Sequence, residues 1–84
     1  MTHETLAPII DVTTGDVRFS QHRGILFATA IGSCVAVAAY APEQCAGAMA
    51  HIMLPGRAPE NKRTYRHRYA ETAVEELLRM MRNC

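Results

Sequence analysis

The sequence predicts a small α/β domain in which several strands precede a single C-terminal helix. Three observations carry that reading. Short apolar or alternating runs recur between turn residues from Ile9 to Leu54, the pattern of strands joined by tight connections. From Tyr69 to Arg82 the period changes to that of a helix, with Tyr69, Ala73, Val74, Leu77, Leu78 and Met81 on one stripe. The chain has 84 residues, 49% of them hydrophobic, enough for one modest core.

Residues 1–14 give the weakest signals, although Leu6, Ile9, Ile10 and Val12 suit an edge strand. Thr13-Thr14-Gly15-Asp16 reads as a turn. Asp16 to Ser20 alternates polar and apolar residues, as a half-buried strand does. Gln21-His22-Arg23-Gly24 turns the chain again, and Ile25 to Thr29 is the next strand. After Gly32 and Ser33, Cys34 opens an apolar run to Tyr40 that reads as a buried strand. Pro42 donates no hydrogen bond to a ladder and ends it. Gly47 to Leu54 is a further strand, closed by Pro55-Gly56 and joined to the previous one by a short turn. The two are therefore expected to pair antiparallel. Arg57 to Arg68 is a loop with Arg57, Lys62, Arg63, Arg66 and Arg68 against Glu60 alone. Such a run is either a solvated loop or a surface for an acidic partner. In the helix, acidic residues come early and basic ones late, as the helix dipole favours. Glu75 and Arg79 stand four apart as an expected pair, and Asn83 is a suitable stop.

A net charge of +1 gives no electrostatic case for nucleic acid or an anionic membrane. Three cysteines, at 34, 45 and 84, do not make a disulfide framework. No signal-peptide pattern opens the sequence, and with unpaired thiols this points to a cytoplasmic location. The stretch 25–41 is uncharged and near the lower length limit for a membrane span. Its central Thr29, Gly32, Ser33 and Cys34, and the second apolar segment close behind, favour paired strands over membrane insertion.

Chemistry concentrates on Cys34 and His51. Gly32 permits a sharp turn and Ser33 suits it, so Cys34 is held at the mouth of a strand, where a nucleophile would be accessible and rigid. If strands 34–40 and 47–53 pair so that opposite residue numbers sum to about 87, His51 is the diagonal neighbour of Cys34 on the same face. His51 then takes the thiol proton and holds a thiolate–imidazolium pair. Amides of Cys34 and its turn neighbours Gly32 and Ser33 are candidate oxyanion donors. The competing readings are a buried structural cysteine, a satisfied core histidine, and a zinc site using Cys34, Cys45 and His51. The spacing does not match structural zinc sites, so neither metal nor cofactor is expected.

Ile31-Gly32-Ser33-Cys34-Val35-Ala36-Val37, then Tyr40-Ala41-Pro42, then Gly47 through Pro55 with His51-Ile52-Met53-Leu54-Pro55 at its end, closely resemble the signature of the CheD family of chemoreceptor glutamine deamidases. Tyr69 to Leu78 is similar to that family's first helix. The resemblance runs from about residue 15 to 82 and implies a layered α/β sandwich of the CheD type. Here it would be a truncated version: one partial domain over 1–84, with an N-terminal segment 1–14, strands with Cys34 and His51 over 15–56, the basic loop 57–68 and the helix 69–82. Exposed core surface is the expected consequence of truncation. The resemblance also implies hydrolysis of glutamine side chains on methyl-accepting chemotaxis receptors, with Cys34 as nucleophile, His51 as general base and a threonine, here Thr29, orienting the histidine. The CheC phosphatase is the further partner implied. Arg63 and Arg66 are candidate substrate contacts in the basic loop. The alternative function is a catalytically inactive fragment that binds receptor or CheC.

Overall fold

The hairpin expected between Cys34 and Met53 forms the centre of the structure. A computed structural model describes residues 7–61 and 65–83. In chain order the elements are β1 (Ile9–Asp11), β2 (Val17–Gln21), β3 (Ile25–Phe27), β4 (Val35–Ala41), β5 (Ala46–Ile52) and α1 (Ala70–Arg82). The architecture is α/β. β4 and β5 pair antiparallel from Val35 opposite Ile52 to Ala41 opposite Ala46, so every pair sums to 87, the expected register. The Pro42–Gln44 connection is one turn of 3-10 helix, closed by the Cys45 amide donating to the Pro42 carbonyl at 3.1 Å.

The order of strands is less obvious from the sequence. β2 pairs antiparallel with the other edge of β5, giving the order β2-β5-β4. β1 and β3 form a separate parallel pair. Ile25 to Thr29, read as one strand, keeps ladder pairing only through Phe27; beyond it the chain departs and Ala30 adopts a left-handed φ of 56°. Stretch 25–41 is thus divided between two strands. Among the described residues no helix is long and apolar enough to cross a membrane.

Alternation sorts β5 into two faces. Ala48, Ala50 and Ile52 lie in the core with Val17, Ala73 and Leu77. Small alanines let α1 approach closely, and Phe19, Val37, Ala39, Ala70 and Val74 pack around the centre. Gly47, Met49 and His51 belong to the other face, where Leu26 of β3 stands across a cleft of about 370 Å³ from Ala38, Tyr40 and Met49. The outer edge of β4 has no pairing strand among the described residues. Val35 and Tyr40 on it are largely exposed, as are Ile9, Ile25 and Phe27 of the smaller pair.

The helix follows its expected span with a rotated stripe. Thr72, Ala73 and Leu77 are buried, whereas Leu78, expected inside, is 46% exposed. Thr72 takes an inward place because its hydroxyl accepts the Ala58 amide at 2.9 Å, so burying it leaves no polar atom unpaired. The expected Glu75–Arg79 pair is absent too. Arg57 reaches Glu75 at 2.6 Å and Glu71 at 4.0 Å, while Arg79 pairs with Glu76, three positions before it. That hydrogen bond holds the Glu76 carboxyl below its usual range. The start of α1 is tied to the end of β5: Met53 and Leu54 amides donate to the Arg68 carbonyl, and the Ala70 amide to that of Leu54.

Candidate active site

Cys34 sits at a tight turn directly ahead of β4. Its amide donates to the Ile31 carbonyl at 2.6 Å, and Gly32 inside the turn has φ +52°. A Cβ at Gly32 would meet no atom within 4 Å, so the backbone angle, not space, calls for glycine there. The turn bond removes Cys34 from the expected oxyanion donors, because its amide is already used. Gly32 and Ser33 are exposed, and their amides make no hydrogen bond among the described residues. Cys34 is half-buried with a free thiol.

His51 is placed by β5 and held by the loop after β1. It is 1% exposed. Its Nδ1 lies 2.9 Å from the carbonyl oxygen of Val12, itself fully buried. A carbonyl only accepts, so that contact requires the proton on Nδ1 and, in the neutral ring, leaves Nε2 as the basic nitrogen. Nε2 is buried and has no hydrogen-bond partner among the described residues, the Cys34 sulfur included. An unpaired buried acceptor is costly, and this one favours a donor brought to it.

The ladder register brings the two residues to one face. The last pair is Val35 opposite Ile52; continued one position further, the same register sets Cys34 opposite Met53, diagonal to His51 and on the same face as Ala36. Diagonal neighbours lie about 7–8 Å apart between backbones, within reach of two side chains. Among the described residues no hydrogen bond joins the Cys34 thiol to His51. Cys45 and His51 stand at opposite ends of β5, about 20 Å apart at strand rise, too far to share one metal ion.

The other expected site residues are arranged differently. Thr29 is exposed and makes no hydrogen bond among the described residues, so the Val12 carbonyl, not Thr29, orients the His51 ring here. The cause is local: pairing of β3 stops at Phe27, and Thr29 lies on the segment that turns outward. Arg63 lies outside the described residues. Arg66 lines a charged groove with Thr72, Glu75, Glu76, Arg79 and Arg82, which contains neither Cys34 nor His51. Its positive charge is one of the smaller influences that lower the Glu76 carboxyl, after the hydrogen bond from Arg79. Val12 was invisible to sequence reasoning because a backbone carbonyl has no side-chain signature and lies 39 positions from its partner.

Comparison with known proteins adds a second line of evidence. No family model matches the chain. It is 42% identical over 81 residues to the "Probable chemoreceptor glutamine deamidase CheD" of Chlorobium luteolum, covering 96% of this chain and 39% of that protein. The protein of the same name from Desulfitobacterium hafniense is 35% identical over 75 residues, 87% of this chain and 45% of that one. The "Chemoreceptor glutamine deamidase CheD" of Thermotoga maritima is 36% identical over 64 residues, 76% of this chain and 40% of the relative. Nearly the whole chain is thus similar to part of the CheD proteins, and it spans less than half the length of these relatives.

Proposed function

We propose that this chain carries the reacting half of a protein-glutamine deamidase acting on chemotaxis receptors, with Cys34 as nucleophile and His51 as its base. The observation that supports this most is the pairing of β4 with β5, which sets Cys34 diagonal to a histidine whose Nδ1 is tied to a carbonyl. The names of its relatives supply the substrate class.

In the reaction, Nε2 of His51 takes the Cys34 proton and the thiolate attacks the carboxamide carbon of a glutamine side chain. The Gly32 and Ser33 amides, exposed and without a hydrogen bond among the described residues, serve as donors to the developing oxyanion. Collapse of the tetrahedral intermediate breaks the carbon–nitrogen bond, and the imidazolium gives its proton to the departing ammonia. Water then attacks the thioester, passing a proton to His51. The carbon–sulfur bond breaks, and glutamate leaves with the thiolate restored.

The deciding experiment is ammonia release from a receptor cytoplasmic fragment rich in candidate glutamines. Cys34→Ala is expected to abolish release and leave receptor binding unchanged. A chain that binds receptor, or CheC, yet releases no ammonia would be a binding module instead. A cheaper measurement is alkylation of Cys34 by iodoacetamide between about pH 6 and 7, where a thiol paired with an imidazole outruns a free one. His51→Ala should remove that advantage.

A further inference from the structure

We propose that the loop from Val12 to Asp16 is a positioning device that fixes the tautomer of His51, with the Asp16 carboxylate as its latch. All the polar groups through which His51 is held converge on this loop. The ring Nδ1 lies 2.9 Å from the Val12 carbonyl, the His51 amide donates to the Asp16 carbonyl at 3.0 Å, and the Gly15 amide donates to the His51 carbonyl at 2.8 Å. Asp16 closes the loop on itself. One of its carboxylate oxygens accepts both the Thr13 amide at 3.0 Å and the Thr13 hydroxyl at 2.8 Å, and its amide donates to the Thr13 carbonyl at 2.8 Å. Thr13 directly follows the residue whose carbonyl meets the imidazole, so the latch fixes the peptide plane that aims this oxygen.

The loop is also wedged from outside. Gly15 has φ +86°, and a Cβ there would stand 2.9 Å from Cγ of Arg68. Neither glycine's backbone angle nor that clearance suits another residue. Asp16 touches none of the reacting atoms. It acts through Val12, whose carbonyl decides which ring nitrogen stays free to accept a proton. The catalytic consequence rests on the deamidase reading, whereas the tautomer does not.

The test is long-range proton–nitrogen NMR of the full chain labelled at histidine ring nitrogens, at a pH where His51 is neutral. The unmodified chain should show His51 as a single Nδ1–H tautomer, and an Nε2–H tautomer would overturn the proposal outright. Asp16→Ala should bring in a second tautomer, and Asp16→Asn, which keeps a carbonyl acceptor for Thr13, should restore the single form. A histidine held in the wrong tautomer loses orders of magnitude in rate, so partial release should slow Cys34 alkylation about tenfold, with recovery in Asp16→Asn. A folded Asp16→Ala chain that keeps the single tautomer would remove the latch from the account. Thr13→Val, which deletes only the hydroxyl bond, decides the same point if Asp16→Ala does not fold. If the tautomer behaves as expected and no ammonia is released, the deamidase reading fails and the latch stands.

Discussion

The two faces of β5 differ in what covers them and therefore in what they can do. On one, small apolar side chains meet a whole helix and form the core. On the other, cover comes from a short loop at the His51 end and from Leu26 across an open cleft at the Gly47 end. The first face has its groups satisfied by packing. The second holds a buried nitrogen with no partner among the described residues, and a half-buried thiol one diagonal away. The two-residue period of one strand thus separates the packed side chains from the two candidate reacting groups.

The sharpest way to break that separation is to injure the packed face alone. Leu77→Ala removes the largest core side chain of α1 and should cost about 2–5 kcal/mol of unfolding free energy, measured by urea denaturation. If so small a domain survives, Cys34 alkylation in the folded fraction should keep its pH profile. A loss of the profile in parallel with stability would show the faces to be coupled. Thr72→Val comes next, because it strands the Ala58 amide while preserving shape; the expected cost is about 1 kcal/mol. Met49→Ala, on the open face, should change stability by less than about 1 kcal/mol, against the larger loss at Leu77.

The smallest effect is electrostatic. Glu76 has its carboxyl held below the usual range by its hydrogen bond from Arg79. A folded-state value below the unfolded one stabilises the native chain above the ordinary glutamate range, and that contribution disappears as the pH falls through the folded value. Both partners are at the surface, so the slope should be shallow. Glu76→Gln should flatten it, as read from the unfolding midpoint between neutral and acid pH.

Much of this arrangement was legible, and what was not has identifiable causes. The β4–β5 hairpin could be read because its turn is short and its residues strongly strand-forming, which leaves few registers. That reading carried Cys34 and His51 to a common face. The parallel pairing of β1 with β3 was not legible, since three-residue strands carry too little pattern to name a partner. Thr29 was a matter of sequence distance to Cys34, and distance along the chain does not say which way a departing segment turns. Glu75 shows the same limit at the surface: its neighbour on the helix was visible, but Arg57, 18 positions away, reaches it in space.

The open border of β4 has a consequence for how the chain behaves in quantity. A seven-residue strand without a charged side chain, with Val35 and Tyr40 exposed, has no strand on its outer edge among the described residues. Natural sheets usually guard such borders with lysine, proline or a bulge. Where that edge stays uncovered it is a template for strand pairing between copies, and self-association would rise with concentration.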